Sequence, residues 1–207
     1  MKQRHVDSFA PEMAAVVAGV HPLLKEAGFR KSRHLFNRDA AEPGLVHLLE
    51  FQMGQVWGAH GRFAINYGFD AAEVRALRGW PDRRFVKAYE GAGWTRVAGG
   101  SGERWFDLMR PADELVEQVT ESLRDEVFPL LDGLQTRRHA TAPRVVSKLR
   151  VPPAAVAVML HHLGDVDEAR RVFVEGHSGA TGDPERAATV REHARKIFGA
   201  DLPDLGP

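Results

Sequence analysis

Four polar side chains stand at alternating positions in two segments that read as strands. Glu50 and Gln52 lie in Leu45–Met53, and Arg62 and Asn66 lie in Arg62–Phe69. Alternate residues of a strand share a face, and adjacent strands lie about 4.8 Å apart, so the four can be cross-strand neighbours. Trp80, Arg83 and Arg84 follow in the chain, and Trp105 falls in a later hairpin. Amides, guanidinium groups and indoles offer directional hydrogen bonds beside flat apolar area, which suits recognition of a protein or peptide partner. The same residues also fit a plainer arrangement, a solvated Glu50–Arg62 ion pair worth under ~1 kcal/mol with the tryptophans in the core.

Catalysis has less support. Glu50, His60 and His34 are close enough in the expected sheet to form an acid/base group, which is the alternative reading. The chain has no cysteine, which removes thiol nucleophiles, disulfides and Cys-type metal sites together. His161 and His162 are adjacent, so on a helix they diverge by about 100°, and with His177 they make no metal-binding spacing. Gly99-Gly100-Ser101-Gly102 lies between two strands and reads as a turn, because a phosphate loop needs a helix N-terminus behind it. No Gly-x-Ser-x-Gly elbow occurs. No metal or cofactor is expected.

The 207 residues fit one domain or one domain with an appendage, and 28 basic side chains balance 28 acidic ones. A neutral chain gives no whole-molecule field for nucleic acid or membrane. The charges are nevertheless uneven: residues 136–150 carry five Lys or Arg and no acid, while residues 110–135 carry seven acids against two arginines. Weak nucleic-acid binding through the 136–150 run is a third reading, but that run lacks interleaved aromatics, so nucleic acid is not the expected partner. No leader or membrane span is visible, and a reducing, cytoplasmic location is expected.

The elements follow from periodicity. Phe9, Met13, Val16, Val17, Val20, Leu23 and Leu24 stripe a helix over 8–27, capped by Asp7 or Ser8, with Pro11 early, Gly28 as its stop and Pro22 kinking or dividing it. Three strands follow: Phe29–Arg38, poorly alternating, then Leu45–Met53 and Arg62–Phe69, with one buried and one polar face. Residues 70–91 read as irregular or weakly helical, and Trp94–Ala98 with Arg104–Met109 as a hairpin. Pro111 opens a helix striped by Leu115, Val119, Leu123, Val127, Leu131 and Leu134, its end disturbed by Pro129. Helices are expected from Pro153 to about Leu163, from Asp165 to about Glu175, and from Asp183 to Phe198.

This order of segments resembles domain-of-unknown-function family 4304. The resemblance is carried by HPLLKEAGFRKSRHLFNR (21–38), by HLLEFQMGQ (47–55) with Gln52, and by GRFAINYGFD (61–70) with Phe63, Asn66 and Gly68. RWFDL (104–108) and EVFPLLDGLQT (126–136) extend it. It implies an α+β fold and supplies no activity. The expectation is therefore an antiparallel sheet of about five strands, packed by helices 8–27 and 112–134, with a C-terminal three-helix extension. The expected division is a sheet domain over 1–135, a basic linker over 136–152 and a helical extension over 153–207.

Overall fold

A computed structural model describes residues 9–54, 59–100, 102–177 and 183–200. Helix α1 (Ala10–Glu26) buries Met13, Val16, Val17, Val20 and Leu24, the stripe its spacing demands. Asp7 and Ser8 lie outside the described residues. The helix runs on through Pro22, which sits on its exposed side, where water can take the carbonyl that the missing N–H leaves unbonded. It stops at Gly28, whose φ of +84° favours glycine, and the Phe29 N–H closes the end on the Leu24 carbonyl.

The expected strand Phe29–Arg38 is two strands, β1 (Arg30–Ser32) and β2 (Leu35–Asp39), reversed at Arg33-His34. Ser32 and Leu35 face each other across this turn and share a face, which breaks strict alternation. That break is why the pattern read poorly. β3 (Leu45–Met53) and β4 (Arg62–Ala71) form the long central ladder, with Glu50 opposite Asn66 and Gln52 opposite Ala64. Helix α2 (Ala72–Leu77) follows, then a 3-10 turn at Ala88–Glu90 and β5 (Gly93–Arg96). A small hairpin, β6 (Ala98–Gly99) with β7 (Gly102–Glu103), separates β5 from β8 (Phe106–Asp107). Trp94–Arg96 and Phe106–Asp107 therefore pair chiefly with β4, at successive stretches of one edge, and only the hairpin tip pairs with itself. The sheet order is β1-β2-β3-β4-β5, with β8 also on β4.

One face carries the core. Phe36, Phe51, Phe63 and Phe106 form a chain of ring contacts across β2, β3, β4 and β8, with centroids 5.7, 6.1 and 4.9 Å apart. Over them lie α1 and a long helix made of α3 (Ala112–Ser122), a widened turn at Leu123–Val127 and α4 (Phe128–Asp132). In the wide turn the Phe128 N–H donates to the Leu123 carbonyl, five residues back, just before Pro129, which has no N–H to give. Burial pushes the carboxyl of Glu126 up, but hydrogen bonds outweigh it and hold the group below its ordinary value. The donors are Lys148 Nζ at 2.8 Å, the Ala98 N–H at 2.9 Å and the Tyr67 hydroxyl at 2.8 Å.

The segment expected as a basic linker folds as α5 (Arg137–Ala140) and α6 (Pro143–Lys148), with Ala140, Val145 and Leu149 buried. Three of its five basic side chains are matched by distant partners: Arg137 by Glu42 and Glu73, Arg138 by Asp165, and Lys148 by Glu126. Local periodicity is blind to such pairs. Helices α7 (Pro153–His162), α8 (Val166–His177) and α9 (Pro184–Phe198) make the three-helix extension. Asp183 caps α9 by accepting from the Glu185 and Arg186 amides at 3.0 and 3.2 Å. Gly93 has no side chain where Val151 and the Leu149 carbonyl press on β5, and Lys196 donates to the Leu77 carbonyl at 3.1 Å. The chain is thus α+β, an antiparallel sheet packed by two long helices with helices appended. Among the described residues no helix is long and apolar enough to cross a membrane.

Candidate functional site

The second face of the sheet is not the open polar surface its sequence suggests. Ala64, Asn66, Gly68 and Asp70 are all buried, because the chain between α2 and β5 folds back over this face. Val86 and Ala88 pack on Leu48, and the Asn37 side chain exchanges two hydrogen bonds with the Val86 backbone, each 3.2 Å. What remains beside that cover is a compact polar array.

Arg96 organises it. Its Nε donates to Asn66 Oδ1 at 2.9 Å, and its terminal nitrogens donate to Gln52 Oε1 at 3.2 Å and Glu103 Oε2 at 2.5 Å. Asn66 Nδ2 donates to the same Gln52 oxygen at 2.6 Å, and the guanidinium lies over the Trp105 ring, 4.9 Å from its centroid. The register explains the meeting. Glu50, Asn66 and Arg96 occupy one cross-strand row on β3, β4 and β5, Gln52 is two residues along β3, and the hairpin brings Glu103 and Trp105 to the rim. A planar guanidinium held on several sides and stacked on an indole is preorganised.

Glu50 completes the row. It is only 8% exposed, and one carboxylate oxygen accepts from the Ala88 N–H at 3.1 Å. Burial raises its pKa above the ordinary value, although that N–H and the Lys87 charge act the other way.

The remaining expected residues fall elsewhere. Arg62 is exposed and stands opposite Asp107, four positions along β4 from the partner of Glu50, so the anticipated Glu50–Arg62 pair does not form. Trp80 is 44% exposed, with Arg78 stacked on it at 5.0 Å. Arg83 reaches Glu90 at 3.5 Å, and Arg84 lies 5.9 Å from the Phe85 ring centroid. These three belong to the covering segment and make none of the array's bonds. Of the acid/base trio, His60 packs edge-on against Phe9 at 5.5 Å, six residues before the partner of Glu50. His34 sits in the β1–β2 turn, where burial and the Lys31 and Arg33 charges hold its pKa down. The three do not assemble. His161 rests on Phe198, and His177 on Phe173, with centroids 5.7 and 4.4 Å apart. Among the described residues no three His, Asp or Glu side chains could hold a metal ion.

Sequence reasoning missed Arg96 and Glu103. The available signal was Trp94-Thr95-Arg96, which puts Arg96 on the same face as Trp94 of a strand adjoining β4. Using it required knowing that β5 pairs with β4.

Fold and array define an α+β protein built on a meander sheet, with one face packed by helices and the other closed around an arginine-centred polar cluster. The chain belongs to the family described as Domain of unknown function (DUF4304), whose model matches residues 20–133. The matched stretch includes every residue of the array and ends before Arg137. Neither the curated proteins nor the solved structures searched contain a match.

Proposed function

We propose that this protein is a non-catalytic binding protein that recognises a protein or peptide partner through the Gln52–Asn66–Arg96–Trp105 array. The observation that supports it is Arg96, its guanidinium fixed by three side chains and an indole before any partner arrives. Preorganised Arg and Trp groups are the residues that carry binding energy in interfaces, since little entropy is lost when they engage. Trp80, Arg83 and Arg84 on the covering segment extend the surface in this reading, and Arg62 lies at its margin. A cytoplasmic location accords with the lack of cysteine.

The test is affinity capture with the wild-type protein against two variants, Arg96→Ala with Trp105→Ala, and Arg83→Glu with Arg84→Glu. Partners recovered by wild type and lost by the first pair support the array. Identical recovery by folded variants of both kinds refutes the reading. A catalytic reading retains only Glu50, a buried carboxyl of raised pKa, and would show as a turnover abolished by Glu50→Gln.

A further inference from the structure

A second site lies away from the array, at the tip of the β1–β2 hairpin, in a groove of ≈ 860 Å³. Three cations line it, Lys31, Arg33 and Lys87, beside the apolar side chains of Ala14, Val17 and Leu35, and no lining residue is acidic. Burial and the charges of Lys31 and Arg33 hold the His34 pKa below its ordinary value, as expected beside a concentrated positive field.

β1 is an outer strand of the sheet, paired on one side only. The Phe51 N–H donates to the His34 carbonyl, which makes Leu35 and Glu50 a pair that exchanges no bonds and turns the Leu35 backbone toward Ser32. Ser32 and Leu35 therefore bond each other, and the alternation leaves the N–H and C=O of Lys31 pointing outward from the sheet. Such an outward pair is a template for one more strand. Arg33 holds a φ of +56°, the left-handed conformation that closing this two-residue turn imposes.

We propose that this groove binds an acidic peptide segment in extended form, which adds to β1 through the Lys31 backbone. Its carboxylates meet Lys31, Arg33 and Lys87, and its apolar side chains meet Ala14 and Leu35. The charge that selects such a partner also disfavours a second copy of this chain, whose own β1 carries Arg30 and Lys31. This site stands independently of the Arg96 array.

The test is fluorescence anisotropy of a fluorescein-labelled octapeptide of alternating glutamate and valine, titrated with the full chain. Saturable binding is expected, weakening as salt is raised. Two changes should each weaken it by about tenfold or more: Lys31→Glu with Lys87→Glu, and N-methylation of the peptide's alternate amides against the unaltered protein. The second change leaves the protein untouched, so it holds even if the charge reversal perturbs folding. The proposal is overturned by absence of saturable binding, by equal affinity for the N-methylated peptide, or by tighter binding of an oligothymidylate octamer than of the peptide.

Discussion

Replacing Arg137 with methionine should cost about 3–5 kcal/mol of stability, because it strands two carboxylates without their counter-charge. Arg137 is 4% exposed. Its Nε and one terminal nitrogen donate to the two oxygens of Glu73 at 2.7 and 2.9 Å, and the other donates to Glu42 at 2.7 Å and to the Pro43 carbonyl at 3.1 Å. The Glu73 side chain is 11% exposed and that of Glu42 27%, so neither can recover full hydration when the guanidinium is gone. Glu42 keeps the Arg137 backbone N–H at 2.6 Å in the variant, which tempers the loss. With a urea dependence of about 2 kcal/mol per molar, the midpoint should fall by about 1.5–2.5 M. A pH series sharpens the test. Burial pushes Glu42 up, but the bonds from Arg137 outweigh it and hold the carboxyl below the ordinary 4.5. The folded chain thus binds this proton more weakly than the unfolded chain, so the stabilisation is complete above 4.5 and lost as pH falls through the lower folded value. The wild-type advantage over Arg137→Met should shrink accordingly in acid. A loss below about 1 kcal/mol near neutral pH, or one undiminished in acid, would refute the reasoning.

Two further outcomes follow from the central ladder. A methyl group at Gly68 would press on the Gly93 carbonyl oxygen and lie 2.7 Å from the Trp94 Cα, both backbone atoms that cannot rotate away. Gly68→Ala should therefore part β4 from β5, costing about 1–3 kcal/mol or more, and unchanged hydrogen-exchange protection along Gly93–Arg96 would contradict this. Glu50→Gln should raise stability near neutral pH, because the fold holds the Glu50 proton more tightly than the unfolded chain and ionised Glu50 carries a burial penalty. That penalty is absent below the ordinary 4.5 and grows as pH rises through the raised folded value, so the gain in urea midpoint should vanish in acid. A gain equal at both ends, or none at all, counts against the burial argument.

Much of the fold was legible because local rules dominate where elements are long. The limits of β3, the Met13-to-Leu24 stripe, the Leu115-to-Leu131 stripe and the Asp183-Pro184 start of α9 follow from period and capping alone. The hairpin at Arg33-His34 escaped because arginine and histidine are not turn-marking residues, and the left-handed conformation of Arg33 is imposed by closure of the hairpin. Of the site, Gln52, Asn66 and Trp105 were readable as residue types, and period-2 geometry placed the first two on a common face.

The sequence by itself determined which residues have polar or apolar neighbours within an element, since side-chain direction is set by backbone period. Only the tertiary structure decided which face is covered, which strand lies beside which, and which charges cancel. Glu50 meets Asn66 rather than Arg62 because register is fixed by the whole nine-pair ladder. Arg96 joins Gln52 across 44 residues, and Arg137 joins Glu42 across 95, contacts that depend on chain closure and leave no trace in local spacing.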